Sequence, residues 1–64
     1  STFPLLSDTE VVATKYLKAE MVKNLLSEFY QPFIKVDNEI NSLVITTSPE
    51  IIKRIKNQFI IRSD

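Results

Sequence analysis

The order of the predicted elements indicates an α+β domain with a two-layer β-α-β-β-α architecture, in which a three-stranded sheet carries both helices on one face. Short runs of β-branched residues alternate with two stretches whose apolar residues recur every three or four positions. A chain of 64 residues is long enough for one small core, and no linker or repeat divides it. We therefore expect residues 1–8 to be a lead-in segment and residues 9–64 to form a single domain.

Composition narrows the classes of function. Eight basic and eight acidic residues give a formal net charge of zero, so no overall field favours nucleic acid or an anionic membrane. The absence of cysteine and histidine removes disulfides, thiolate metal ligands and the commonest general base. No apolar run reaches the roughly 20 residues of a membrane-spanning helix. We expect a soluble, non-enzymatic domain without cofactor or metal, which could be a piece of a longer protein because it starts at Ser1 rather than methionine.

The first half of the chain predicts a strand followed by a helix. Alternation over Glu10–Tyr16 is typical of a strand, although it leaves open which face is buried. The helix covers residues 17–30, starting near Lys18, and it ends before Pro32 because proline cannot continue the hydrogen-bond ladder. The apolar stripe of this helix consists of Val22, Leu25, Leu26 and Phe29, with Ala19 and Met21 beside it.

A β-hairpin is predicted next. Phe33–Asp37 forms its first strand, with Ile34 and Val36 on one face, and Leu43–Thr47 forms the second. Residues 37–41 connect them, and aspartate and asparagine are typical of such tight turns. Because the chain has no glycine, a residue with positive φ is expected to be Asn38 or Asn41. Asn41 could instead be a binding residue, but we favour the turn.

The second helix begins directly after the third strand. Ser48 is suited to the N-cap, Pro49 to the first helical position, and Glu50 to the positive end of the helix dipole. Thr47 is an alternative cap, with Glu50 as its capping-box partner. The apolar stripe comprises Ile51, Ile52, Ile55 and Phe59, while Lys53, Arg54, Lys56 and Asn57 are expected to face water.

Three sequence motifs of this chain resemble the short periplasmic repeat domain of bacterial secretins, the NolW-like module. The first is YLKAE at residues 16–20 followed by Leu25-Leu26, where a strand runs into a helix. The second is IKVD at residues 34–37 followed by NSLVI at residues 41–45, and the third is SPEIIKRI at residues 48–55. Together they cover about residues 10–61. Ile40 stands where the family often has threonine or arginine, and Thr47 where glycine is common.

The resemblance implies a function in assembly. Secretins are the outer-membrane channels of type II and type III secretion, of type IV pili and of filamentous phage export. By this resemblance the chain would be a non-catalytic periplasmic domain of an outer-membrane protein and would form one layer of a homo-oligomeric ring. Its partners would be copies of itself, other secretion-system proteins or the exported substrate, and it would meet the membrane only through other domains of the parent protein.

Segregated charges suggest a subunit interface. We expect the basic residues of the second helix to face acidic residues of the next subunit and to set the register of the ring. The basic candidates are Lys53, Arg54 and Lys56, and the acidic candidates are Asp37 and Glu39 in the turn or Glu20 and Glu28 in the first helix.

A nucleic-acid-binding module is the main alternative. KH-type domains share the β-α-β-β-α core, and the basic group with Arg62 could contact phosphates. KH domains, however, hold the nucleic-acid backbone with a GXXG loop, and this chain has no glycine. Bases could stack on the aromatic residues, but these lie next to aliphatic stripes. We therefore expect them in the core, with Tyr30 the most exposed of Tyr16, Phe29, Tyr30, Phe33 and Phe59.

Overall fold

The computed structural model describes residues 7–63, with side chains described through residue 58. The elements are β1 (Asp8–Ala13), α1 (Ala19–Leu25), a 3-10 helix (Glu28–Phe33), β2 (Ile34–Asp37), β3 (Ser42–Thr47) and α2 (Pro49–Ser63). This order confirms the predicted α+β class. Most of the predicted lead-in segment and the side chains of Phe59 and Arg62 lie outside the described residues.

The three strands form one antiparallel sheet in the order β1-β3-β2. Leu43 of the central strand pairs with Val12 of β1 on one side and with Val36 of β2 on the other. Because β1 and β2 both run antiparallel to β3, they run parallel to each other, and α1 provides the long connection that two parallel strands need. The predicted hairpin of β2 and β3 is confirmed.

Both helices cover the same face of the sheet. Leu43 and Ile45 of β3 are 0% and 1% exposed, and Ile34 of β2 is buried beside them. The same cluster contains buried residues of both helices, namely Ala19, Val22, Leu26, Ile52 and Ile55. On the opposite face, Val11 and Lys35 are exposed. Helix α1 contacts β2 and β3, whereas α2 contacts β3 and β1, so the helices lie side by side over opposite halves of the sheet.

Strand β1 lies two to three residues earlier than the predicted strand. It ends at Ala13 instead of Tyr16, and residues 14–18 form a loop. The last backbone–backbone hydrogen bond from this segment to the hairpin comes from Thr14, whose N–H donates to the carbonyl of Asn41 at 3.1 Å. Tyr16 is therefore in the loop and is 87% exposed, so the expectation that it belongs to the core was wrong.

Helix α1 is shorter than predicted, because local hydrogen bonds end it at Leu25. The side chain of Gln31 donates to the carbonyls of Lys23 at 2.6 Å and Leu26 at 3.1 Å, which gives partners to carbonyls that an ending helix leaves free. Ser27 caps the following 3-10 helix by accepting a hydrogen bond from the backbone of Phe29. Side chains of this kind compete with continued α-helix. The 3-10 helix then includes Pro32.

The early end of α1 changes which apolar residues are buried. Ala19, Val22 and Leu26 belong to the core, as the periodicity predicted, but Leu25 is half-exposed and Phe29 is 67% exposed. Tyr30, expected to be the most exposed aromatic residue, is instead half-buried against the core. It also forms an edge-to-face contact with Phe29, with 5.5 Å between ring centroids. The predicted stripe is therefore correct for Val22 and Leu26 and wrong for Leu25 and Phe29.

The start of α2 agrees with the sequence. The hydroxyl of Ser48 accepts a hydrogen bond from the backbone N–H of Ile51 at 3.3 Å, and the Ser48 carbonyl accepts from Ile52 at 3.0 Å. Ser48 is therefore the N-cap, and Pro49 occupies the first helical position. Ile52 and Ile55 are buried, while Ile51 packs against the edge of the core.

Candidate functional site

Asn41 joins the two ends of the chain's first loop to the hairpin. It has a positive φ of 48°, as the absence of glycine predicted. Its Oδ1 accepts a hydrogen bond from the backbone N–H of Ala19 at 2.8 Å. Its Nδ2 donates to the carbonyls of Thr14 at 3.0 Å and Leu17 at 3.1 Å. The side chain thus bonds three points of the segment that connects β1 to α1.

The main-chain carbonyl of Asn41 adds two hydrogen bonds at this junction between the β1–α1 loop and the hairpin. It accepts from both the backbone N–H of Thr14 and the hydroxyl of Thr14, the latter at 2.9 Å. Lys18, at the N-cap position of α1, provides no capping side chain, so Asn41 caps this helix from a distant part of the sequence. Both amide hydrogens of Asn41 are used within the chain. This geometry favours the structural reading of Asn41 over a binding role.

The acidic interface candidates lie on α1, on the 3-10 helix and in the hairpin turn. Glu20 and Glu28 are exposed in the first turns of α1 and of the 3-10 helix. Glu39 is exposed in the hairpin turn, and its backbone N–H donates to the carboxylate of Asp37 at 3.1 Å. The half-buried Asp37 therefore stabilises its own turn, and it is less available to a neighbour than the two glutamates.

The basic candidates lie on α2, and they are not equivalent. Lys53 and Arg54 are exposed. Lys56 instead forms an ion pair with Glu10 of β1, in which both side chains are about two-fifths exposed. This pair joins α2 to the edge strand, so Lys56 is already engaged within the domain. Glu50 is exposed in the first turn of α2, where it complements the helix dipole.

The structure also exposes apolar side chains near Asn41 that the sequence did not suggest as site residues. Tyr16 and Leu17 are exposed in the loop before α1, and Ile40 is exposed in the turn beside Asn41. A shallow groove of about 600 Å³ opens here, lined by Lys15, Tyr16, Leu17, Lys18, Glu20, Asn38 and Asn41. The available signal was a Tyr-Leu pair between two lysines, at the boundary between the predicted strand and the predicted helix.

The described part of the chain holds no group of three or more acidic, histidine or cysteine side chains arranged to bind a metal. Nor does any helix described here combine the length and apolar character needed to cross a membrane. Comparisons with protein-family models, with characterised proteins and with solved structures found no match to this chain.

Proposed function

We propose that this chain is a non-catalytic assembly module, similar to the periplasmic repeat domain of secretins, that packs beside copies of itself in a ring beneath an outer-membrane channel. The observation that carries the proposal is the sequence resemblance at residues 41–45 and 48–55, together with the places these residues take in the fold. Asn41 joins the loop to the hairpin, and Ser48 starts the second helix. The resemblance thus falls on residues that build a β-α-β-β-α domain, which is the order it implies.

The two halves of the helical layer support side-by-side packing. Helix α1 lies over β2 and β3 and, with the 3-10 helix that follows it, presents the exposed carboxylates of Glu20 and Glu28. Helix α2 lies over β1 and β3 and presents the exposed cations of Lys53 and Arg54. A contact between the α2 half of one copy and the α1 half of the next is heterologous. Heterologous contacts form a ring when the rotation between copies closes.

Charge would set the register of such a contact and add little to its strength. An exposed ion pair contributes about 0–1 kcal/mol, because water screens it and ordering two long side chains costs entropy. Affinity would come from tethering, since neighbouring domains of a ring-forming parent raise the local concentration of this one. Packing against neighbours would in turn stabilise a domain as small as residues 9–64.

A charge-reversal experiment tests the proposal in the full-length protein that contains this chain. Lys53→Glu combined with Arg54→Glu replaces two attractive pairs of about 0–1 kcal/mol each with like charges, and we expect the yield of cross-links between α2 of one copy and α1 of the next to fall by up to about tenfold. Adding Glu20→Lys and Glu28→Lys to the same polypeptide restores opposite charges, and the yield should recover. Lys56 is kept because it pairs with Glu10 inside the domain.

Lys35→Glu is the matched control, since Lys35 is exposed on the sheet face that carries no helix. It should leave both multimer yield and thermal unfolding unchanged. Unchanged multimers in the Lys53/Arg54 variant would contradict the charge register. The same variant also tests the nucleic-acid alternative. Loss of binding to single-stranded RNA at low salt, with multimers intact, would favour that function instead.

A further inference from the structure

We propose that the loop before α1 forms a docking surface for an acidic segment of another protein that also carries apolar side chains. The surface consists of the side chains of Tyr16 and Leu17, which line the groove described above, with Lys15 and Lys18 at its rim, and is called the Tyr16 surface below. This inference goes beyond the assembly function, because the partner is not a copy of the chain and the residues differ from those of the charge contact. The two proposals can therefore be tested independently.

The Tyr16 surface is apolar and highly accessible. Tyr16 is 87% exposed, and Leu17, the next residue, is 37% exposed. Water-exposed aromatic and aliphatic side chains that lie together and are bordered by polar groups are typical of protein-binding surfaces. Tyrosine in particular is enriched among the residues that dominate binding energy, since it offers a large contact area with few rotatable bonds.

The backbone beneath this surface is held in place. Asn41 bonds to the carbonyl of Leu17 directly after Tyr16 and to Thr14, two residues before it. Its own carbonyl takes two further hydrogen bonds from Thr14. A loop that is ordered before binding loses less conformational entropy when a partner docks. The hydrogen bonds of Asn41 thus hold the backbone on both sides of Tyr16, although this loop lies outside any helix or strand.

Charge indicates the chemistry of the occupant. Lys15 and Lys18 are exposed on either side of Tyr16-Leu17, and residues 14–19 contain no acidic side chain. Among the described residues neither lysine forms an ion pair, in contrast to Lys56. The wall of the groove adds one carboxylate, that of Glu20, so two cations face one anion. A segment with carboxylates beside an aromatic or aliphatic residue would complement both the charge and the apolar centre.

The test is a selection from an unbiased phage-displayed library of 12-residue peptides on the folded 64-residue chain, with counter-selection on the Tyr16→Ala variant. We expect the peptides that require Tyr16 to contain aspartate or glutamate beside an aromatic or aliphatic residue. A synthetic copy of a selected peptide should bind at least tenfold more weakly to Tyr16→Ala and to Lys15→Glu/Lys18→Glu. Its affinity should also fall between 0.05 and 0.5 M salt, because charge screening weakens exposed ion pairs.

Phe29→Ala is the matched control, because Phe29 is also an exposed aromatic residue but lies beyond the other end of α1. It should leave peptide affinity unchanged. Tyr16→Ala should retain the far-ultraviolet circular dichroism of the parent, since an exposed side chain contributes little to the core. The proposal is overturned if no Tyr16-dependent peptide is recovered, or if the selected peptides are basic or uncharged. It is also overturned if a single-stranded oligonucleotide binds the surface more tightly than the peptide does.

Discussion

Replacement of Asn41 should destabilise the domain more than any other substitution in the hairpin turn. The side chain forms three hydrogen bonds to the segment between β1 and α1, at 2.8, 3.0 and 3.1 Å. A typical hydrogen bond contributes about 0.5–1.5 kcal/mol net. These bonds are part-buried or exposed, so water replaces some of what is lost. We therefore expect Asn41→Gly to lower the free energy of unfolding by about 2–3 kcal/mol.

Two further variants separate the loss of hydrogen bonds from the effect of backbone strain at Asn41. Asn41→Ala should cost about 1 kcal/mol more than Asn41→Gly, because a β-carbon disfavours the left-handed conformation at φ 48°. Asn41→Asp keeps the shape and the acceptor for Ala19, but its carboxylate faces the carbonyl oxygens of Thr14 and Leu17 and cannot donate to them. It should be at least as destabilising as glycine. The ranking thus distinguishes lost donors from backbone strain.

The assay is urea unfolding of the isolated chain, followed by circular dichroism. A chain of 64 residues has a total stability of about 3–10 kcal/mol, so the Asn41 variants should shift the midpoint clearly. The slope of unfolding should stay constant if only stability changes. Asn38→Ala, an exposed residue of the same turn, is the control and should change stability by less than about 0.5 kcal/mol. An Asn41→Gly variant as stable as this control would refute the role assigned to the junction.

Three other predictions follow from contacts in the fold. Ser48→Ala should lower the free energy of unfolding by about 1 kcal/mol through loss of the cap, whereas Thr47→Ala should not, and thermal unfolding distinguishes them. The coupling energy between Glu10 and Lys56 in a double-mutant cycle should be below about 1 kcal/mol and should fall further in 1 M salt. A coupling energy that does not depend on salt would contradict a surface ion pair. Leu43→Ala should lower the free energy of unfolding by about 2–5 kcal/mol, because Leu43 is fully buried at the centre of the sheet. A smaller loss of stability, with the variant still fully folded at 37 °C by circular dichroism, would argue against this core.

The elements after Pro32 could be predicted because short-range chemistry determines them. Proline and serine mark the start of α2, and a glycine-free turn leaves asparagine as the residue for positive φ. Alternation within β2 then identifies Ile34 and Val36 as the side chains that face the core. In this part of the chain, local preference and tertiary packing favour the same structure.

The first helix could not be predicted in full because its end depends on side chains that periodicity does not record. Leu25, Leu26 and Phe29 continue a helical pattern, but Ser27 and Gln31 satisfy backbone groups in a way that favours a 3-10 helix. The hydrogen bond from the Ala19 N–H to Asn41 also cannot be predicted from the local sequence, because 22 residues separate the two. Such contacts depend on the tertiary fold.

For the candidate site, the sequence predicted that basic and acidic residues lie on different elements. It did not predict which of these residues are free to contact a neighbouring molecule. Lys56 belongs to the same basic run as Lys53 and Arg54, yet only the packing of α2 against β1 brings it to Glu10. The exposure of Tyr16 likewise follows from the end of β1 at Ala13, since a strand reaching residue 16 would have placed this side chain on the sheet. The first result depends on tertiary packing and the second on where a strand ends, and the local sequence determines neither.

The assembly proposal is tested most directly by the state of the full-length protein in its cell membrane. Membranes are extracted with mild detergent, and the extract is run unheated on a denaturing gel and probed with an antibody raised to this domain. The proposal predicts a very large membrane-associated multimer that collapses to one long polypeptide after harsh treatment. A small soluble monomer would contradict it.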